Sequence, residues 1–379
     1  MSVLGHLSAG LSRLAGGYGV QLLVNGMLYE GWKSVQIQRS VKQMAGQFTL
    51  VVSERWTAGQ GGPPSLLSWR IRPGDACTLL YYGVPAVTGY VDAYNPGYDA
   101  NSHNVTIQGR SKTGDLADCS SERETGEWND ADVPQIATDL AFKFGVGVKV
   151  DGFPGSPFAK AAIEQGERVQ ETVERYARQR GLWPTDDARG DLVLKQVTGG
   201  AAFALVEGVN ILKAQATLRA DRRHSKITVK GQRPGTDAEY GPDAAEVYAE
   251  ASDPAVKRYR PLVIIGERAT DKETAQDRAD QEGAARAGES VKATVTVQDW
   301  WQAPGQLWTP GDVGTLTAPM LAINKAMAIE SVNLTLDDKG TVAELSLVGP
   351  EALNSKAQGG GAAGETDESW TATRPGRAQ

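Results

Sequence analysis

The chain has 379 residues, a formal net charge of -7, 40% hydrophobic and 22% charged residues, a composition that suits a globular protein with room for two or three domains. An acidic balance argues against nucleic-acid binding as the main task, because phosphate contacts need clustered Lys and Arg. Two cysteines, Cys77 and Cys119, are too few for a disulfide framework or a thiolate metal site and read as packing positions in a protein made in a reducing cytoplasm. No run approaches the ~20 apolar residues of a membrane span, so no membrane insertion by this chain is expected.

In chain order, residues 1–17 place Leu4, Leu7, Leu11 and Leu14 at helical spacing. They lack a basic leader and a continuous apolar stretch, so the segment is either a short docking helix or a frayed terminus. From 18 to 118 the signals are all β. Asn25-Gly26 between two apolar runs predicts a tight hairpin. "GWKSVQIQRSVKQMAGQFTLVV" (Gly31 to Val52) alternates Val35, Ile37 and Arg39 with Ser34, Gln36 and Gln38, breaks at Ala45-Gly46, and alternates again through Phe48, Leu50 and Val52. Its second face holds Gln and Arg in place of the usual scattered Lys and Glu. "TAGQGGPPS" (Thr57 to Ser65) is a loop by its Gly and Pro content.

Residues 119–205 change pattern. Ile136, Leu140 and Phe144 form one helical stripe, with Asp130 or Asp132 to cap it and Gly145 to end it. Val169, Val173, Tyr176 and Ala177 form a second stripe, which ends at Gly181. A short strand in "VGVKVDG" and a hairpin turning near Ala188-Arg189-Gly190 complete a small α+β domain. Strands return over 206–350, with one inserted helix that starts at a Thr270-Asp271-Lys272-Glu273 capping box. Alanine is that helix's only apolar residue type, so it must lie close against a sheet or a neighbouring subunit. The basic stretch "LRADRRHSK" (Leu218 to Lys226) reads as a solvated strand-to-turn segment. The Gly-rich tail, 351–379, predicts disorder; Trp370 is its odd residue, either without a role or a short docking motif.

An internal repeat links the two β regions. Pro73-Gly74-Asp75 aligns with Pro310-Gly311-Asp312, Thr78-Leu79 with Thr315-Leu316, and "VTIQG" (Val105 to Gly109) with "LSLVG" (Leu345 to Gly349). The fold expected is mainly β, α+β overall: two related β-barrel domains with an inserted small α+β domain.

Chemistry is sparse. His6, His103 and His224 have no shared ligand spacing. There is no Gly-x-Ser-x-Gly elbow and no P-loop. Asp186-Asp187 and Asp337-Asp338 resemble acid/base pairs, but each sits beside a turn and reads as solvated. No catalytic, metal or cofactor-binding residue is assigned. Trp300, Trp301 and Trp308 in "DWWQAPGQLW" read as core or subunit-interface anchors.

The Gly31–Val52 hairpin resembles the opening hairpin of the baseplate hub proteins of Mu-like contractile-tailed phages. "KRYRPLVIIGE" (Lys257 to Glu267), the helix from Ala275-Gln276, and "GQLWTPGD" (Gly305 to Asp312) resemble later landmarks in the same order. "ETVERYARQRGLWPTDDARGDLVL" resembles the middle domain of the wider late-control-D group, to which the VgrG hub is similar. The resemblance implies a non-enzymatic homotrimer in the tail baseplate of a virion, made in the host cytoplasm. It implies a ring of six barrels between a tail tube or distal tail protein and a central spike, with other baseplate proteins as neighbours. DNA would pass through without specific binding, and no cofactor would be needed. The alternatives are a cell-wall-degrading tail enzyme and a carbohydrate-binding β module.

Overall fold

The computed structural model of the chain describes residues 19–53, 71–98, 103–232, 246–269 and 272–354. The leucine-spaced N-terminal segment, the Thr57–Ser65 loop, Thr270 and Asp271 of the capping box, and the tail with Trp370 lie outside the described residues.

Strands β1 (Val20–Val24) and β2 (Met27–Tyr29) turn at Asn25 and Gly26, whose φ values of 51° and 77° suit a two-residue hairpin. Strand β3 (Ser34–Ser40) pairs with β4 (Gln47–Ser53), placing Ile37 opposite Phe48 and Gln38 opposite Gln47. After β5 (Ala76–Tyr81), β6 (Val84–Tyr98) and β7 (His103–Ser111), this half has the order β3-β4-β7-β6-β5-β1-β2.

The middle of the chain packs separately, around Trp128, Ile136, Leu140, Val173 and Tyr176. Asp132 caps the Val133–Ala141 helix by accepting from the Gln135 N–H, and Gly145 takes the left-handed conformation (φ 66°) beyond it. The second stripe forms the Val169–Gln179 helix, whose Glu171 carboxylate accepts the Arg168 N–H at 2.9 Å. Strands β8 (Glu127–Ala131), β9 (Val148–Asp151), β10 (Phe158–Ala162), β11 (Trp183–Asp186) and β12 (Leu192–Lys195) form two small sheets, β10-β8 and β11-β12-β9.

Next come β13 (Ala204–Val206) and β14 (Lys213–Leu218). A three-stranded sheet of β15 (Lys226–Gln232), β16 (Glu246–Ser252) and β17 (Pro261–Ala269) follows, covered on one face by the Lys272–Glu289 helix. Ala275 and Ala279 are fully buried against Val229, Val247 and Ala249, so the alanine helix does lie close on a sheet. The chain continues through β18 (Val291–Gln298), β19 (Trp301–Ala303), β20 (Gln306–Leu307), β21 (Val313–Ala318), β22 (Ile323–Asp337) and β23 (Gly340–Val348).

The Pro-Gly-Asp and Thr-Leu matches extend to individual hydrogen bonds, whereas strand pairing sets Ile107 with Leu345 and Gly109 with Leu347, two residues out of the alignment of "VTIQG" with "LSLVG". Gly74 N–H donates to the Val91 carbonyl (2.7 Å) and Val91 N–H to that of Asp75 (3.0 Å). Likewise Gly311 N–H donates to Ile329 (2.8 Å) and Ile329 N–H to Asp312 (2.9 Å). Gly74 and Gly311 share positive φ values, 91° and 85°. A bulge follows Val91 in β6 and Ile329 in β22. Strand order repeats as well: β3-β4-β7-β6-β5 in one half, β14-β18-β23-β22-β21 in the other. No closed barrel forms among the described residues, however. Ser331–Leu336 of β22 pair with β23 on one side and β3 on the other, so both halves run on as one open 13-stranded sheet. Residues of both halves share one apolar core. The chain stays ordered past 351: Pro350–Ala352 is a 3-10 turn, and Ala352 and Leu353 are buried.

Candidate functional site

Period-2 alternation gives the large sheet one apolar and one polar face. Over the central, mutually paired stretches of β22, β3, β4 and β7 the outward residues are Ser331, Asn333, Thr335, Gln36, Gln38, Gln47, Thr49, Val51, Thr106 and Gln108, none of them charged, while Arg110 of β7 and Asp337 of β22 flank them in the same outward register. They stand in register: Thr335, Gln36, Thr49 and Gln108 form one cross-strand row. Gln36 Nε2 donates to Asn333 Oδ1 at 3.1 Å across the junction of the two halves. An ordinary solvent face of ten residues would hold about three charges. A shallow cleft of about 250 Å³ lies over Gln36, Gln38, Gln47, Thr49 and Gln108. At its rim Arg110 bridges Asp92 and Asp118, each at 2.7 Å. Those hydrogen bonds, first the one Arg110 donates to Asp118, push the Arg110 pKa up, and that same bond holds the Asp118 carboxyl below its ordinary value.

The opposite face of the Gly31–Val52 hairpin is equally specific. Arg39 follows Val35 and Ile37 in the inward register and is buried. Its Nε donates to Asp186 Oδ1 (3.1 Å) and its Nη2 to the Asp186 carbonyl. Asp186 also accepts the Gly46 N–H at 3.0 Å. A Cβ on Gly46 would sit 2.8 Å from that carboxylate and 2.9 Å from Arg39 Cγ, so the break in the hairpin needs glycine there. The network continues from Gly46 through Ser111 and Thr113 to the Met44 carbonyl. Asp186 therefore corrects the sequence reading: it is a buried strand residue. Asp187 does sit at the turn, where burial raises its pKa but Lys149 and the Asp191 and Arg189 N–H groups hold it below its ordinary value. The signal was available, since a cation in an apolar register needs a buried anion.

The same α+β hairpin touches both repeat halves. Thr88 Oγ1 donates to the Ala188 carbonyl at 3.0 Å, and Lys195 Nζ meets Asp312 of the second Pro-Gly-Asp turn at 3.0 Å. A cleft of about 380 Å³ opens where these parts meet, lined by Arg39, Asp151, Asp187, Arg189, Lys195 and Gln306 among others.

Trp300 is fully buried, its Nε1 donating to the Thr335 carbonyl at 3.1 Å and its ring 4.5 Å from that of Tyr81. Trp301 is half-buried, 5.0 Å from Tyr81. Trp308 is buried against Phe203. These rings do not gather at an exposed rim. Burial first, then the Asp299 carboxylate that accepts its O–H, raise the Tyr81 pKa well above the ordinary range. Cys77 is in the core as expected, but Cys119 is exposed. Among the described residues no group of three or more His, Cys, Asp or Glu could hold a metal ion, and no helix is long and apolar enough to cross a membrane.

Four family models match the chain. They are the N-terminal domain of Mu phage baseplate assembly protein GpP-like proteins over 19–111, the second domain of baseplate hub protein gp44-like proteins over 113–196, the third domain of NMB1110-like tail proteins over 223–281, and the fourth domain of GpP over 271–356. The chain is 33% identical over 328 residues to the baseplate hub protein gp44 of Escherichia phage Mu, covering 84% of each. Among solved structures it resembles the 43 kDa tail protein of prophage MuSo2 from Shewanella oneidensis, with a TM-score of 0.77 and 32% identity over 88% of this chain and 99% of that one. A tail protein of Neisseria meningitidis MC58 shares the fold at a TM-score of 0.71 and 22% identity, over 89% of this chain and 99% of that one.

Proposed function

We propose that this chain, which belongs to the family of the phage Mu baseplate hub protein gp44, closes into a homotrimeric ring that joins the tail tube to the central spike. It is a phage baseplate hub and tail protein, and its relatives are named as a baseplate hub protein and a tail protein. In the ring, two like β units from each of three chains surround a hole, and each of the three junctions between chains copies the junction inside one chain.

One observation supports this reading. Inside the chain the second half joins the first where Asn333 of β22 faces Gln38 of β3 and Leu334 faces Ile37. The repeat makes β6 the counterpart of β22, with Ala93–Tyr98 matching Ser331–Leu336 by their pairing to β7 and β23. It makes β14 the counterpart of β3, with Gln215 matching Gln36. Among the described strands, β14 pairs only with β18, and this stretch of β6 pairs only with β7. Asn95, Pro96, Gly97, Gln215, Thr217 and Leu218 are exposed. Applied between protomers, the internal rule sets Asn95 opposite Thr217 and Tyr94 opposite Leu218. Such a head-to-tail contact builds a ring when its rotation closes. It also covers two open strand edges that would otherwise template aggregation.

On this reading the uncharged Gln/Thr/Asn face lines the hole, and DNA crosses without a run of cations to hold it. Of the outward cations, Arg110 is paired with Asp92 and Asp118, and Lys292 lies 3.9 Å from Glu330, which also pairs with Lys42; Lys213 has no ion pair among the described residues. Trp300 and Trp308 serve as core anchors in place of a sugar-binding platform. The divisions near 118, 205 and 350 delimit the first β unit, the α+β clasp and the second β unit.

Facing residues of paired strands lie within disulfide reach, about 4.5–5.5 Å between Cα atoms. The variant Asn95→Cys/Thr217→Cys, made with Cys119→Ser, is expected to give a covalent trimer on oxidation, at high concentration or in assembled tails. Each single variant should give none. Cross-linking that stops at a dimer would refute the three-fold ring, and absence of any cross-link in assembled tails would refute the junction.

A further inference from the structure

The three-stranded sheet β16-β15-β17 is finished on one face only. Its helix-side face buries Val229, Val247 and Ala249. On the other face Tyr248 is 48%, Val263 55% and Ile265 75% exposed, and Tyr259, just before β17, is 86% exposed. Lys230 stands between Tyr248 and Ile265 in register. Strand β17 pairs in parallel with β15 alone among the described strands and reads Leu262-Val263-Ile264-Ile265. An unbroken apolar run in a parallel strand is the pattern of a strand covered on both faces, and its open edge is a template for another extended segment. Lys230 is exposed beside Tyr248, and Lys257 and Arg258 are exposed just before Tyr259. Lys226, 6.0 Å from the Tyr248 ring centroid, is already paired with Glu250, so the free cations at the rim, among the described residues, are Lys230, Lys257 and Arg258.

We propose that this patch is covered by the chain's own C-terminal segment Glu365–Thr373, "ETDESWTAT". Its chemistry complements the patch: three acids, Glu365, Asp367 and Glu368, against the basic rim, and Trp370 against the exposed Tyr, Val and Ile side chains. The place where the described chain stops points the same way. Pro350–Ala352 sits on the end of the helix that covers the sheet's other face, where Gly349 N–H donates to the Gly288 carbonyl at 3.2 Å. That end of the helix lies over the start of β15 and β17. Arg286 Nη1 reaches the Arg222 carbonyl at 3.4 Å, and Ser225 N–H donates to the Arg260 carbonyl at 2.9 Å. From Pro261 to Ile265 is about 13 Å along a strand. Residues 355–364 can span up to about 33 Å, and a short tether keeps a weakly binding segment at millimolar effective concentration. A second copy docking by the same patch would need a two-fold contact that sets basic rim against basic rim.

Hydrogen exchange read by mass spectrometry on the peptide spanning Pro261–Ile265 tests this. The full chain is compared at monomer-favouring dilution with one truncated after Asn354, which keeps every described residue. Truncation should speed exchange in β17 at least about tenfold. A synthetic peptide of residues 363–375 should restore protection, less so at 0.5 M salt, because exposed ion pairs are screened there. The full-length variant Lys230→Glu/Lys257→Glu should resemble the truncation. Equal exchange in the full and truncated chains, or no effect of the peptide, would overturn the proposal. Neither outcome bears on ring closure, which the cysteine pair reads separately.

Discussion

Removing the Asp186 carboxylate tests whether the α+β hairpin is locked to the sheet through Arg39. The two side chains are 7% and 1% exposed. Asp186→Ala leaves the guanidinium buried with a backbone carbonyl as its remaining partner here, and strips the Gly46 N–H of an acceptor. Breaking one side of a buried pair costs about 3–5 kcal/mol, because a charge is left uncompensated. With an unfolding entropy of about 2.1 cal/mol/K per residue, a 379-residue chain carries about 0.8 kcal/mol/K, so the loss appears as a fall in Tm of about 4–6 °C for cooperative unfolding. Arg39→Leu should cost a similar amount. The double variant Arg39→Leu/Asp186→Leu should cost clearly less than the two singles summed, since neither charge is then stranded. Thermal unfolding followed by circular dichroism supplies all four corners of the cycle. Single losses under about 1 kcal/mol, or strict additivity, would refute the lock.

Three further outcomes are expected. The purified protein should bind duplex DNA no tighter than micromolar at physiological salt, and Gln36→Lys/Gln38→Lys/Gln108→Lys should steepen the salt dependence by up to about 0.9 per added phosphate contact; nanomolar binding by the unchanged protein would count against a passive channel. With a thiol reagent at pH 8, Cys119 should react quickly and Cys77 hardly at all, because burial first and then the nearby Asp92 push the Cys77 pKa up to about 12; two equally fast thiols would contradict the core packing around β5. Acid should open the middle module first: at Glu167 and Asp187 burial is outweighed by hydrogen bonds from Arg175 and Lys149, and at Asp118 the bond from Arg110 dominates, so all three carboxyls titrate below their ordinary range when folded. Their stabilisation is complete above the unfolded value near pH 4 and lost as pH falls through the lower folded values, so hydrogen exchange at pH 3 should rise within 113–196 before it rises in β22 and β23.

What could be read in the sequence was local or repeated. Asn25-Gly26 names its turn because both residues accept positive φ. The two helical stripes fall where Val133–Ala141 and Val169–Gln179 form. Pro-Gly-Asp marked the duplication because each copy places a glycine at positive φ and closes the same pair of backbone bonds. Long-range pairing left no such mark. Nothing in Ser331–Leu336 states that its free edge meets β3, about 300 residues earlier in the chain, so the continuous sheet was missed and separate closure was expected. Asp186 was misassigned for a related reason. Its partner Arg39 is 147 residues away, and an aspartate before a turn looks solvated until that partner is in place.

The duplication also bears on which sheet face is used. With the halves aligned by strand pairing, outward positions keep the same residue at Gln36 and Gln215, Thr49 and Thr294, Thr78 and Thr315, and Asn95 and Asn333. The inward positions of those strands do so at Val52 and Val297 and at Leu79 and Leu316. Inward positions need only apolar volume, so Phe48 can stand where the other half has Ala293 once neighbours repack. Outward positions facing only water are freer still, since most surface exchanges move stability by less than about 0.5 kcal/mol. A face that merely met solvent would therefore have diverged at least as far as the core, yet its amide and hydroxyl positions are the better kept. The added cations Lys213 and Lys292 lie in the second half, where Ser34 and Gln47 stand in the first, and Glu330 lies 3.9 Å from Lys292. Neutral polarity on this face is thus kept by residue identity at those four positions and by an adjacent countercharge at Lys292, while Lys213 and Glu344, which stand where the first half has Ser34 and Thr106, add charge without an ion pair among the described residues.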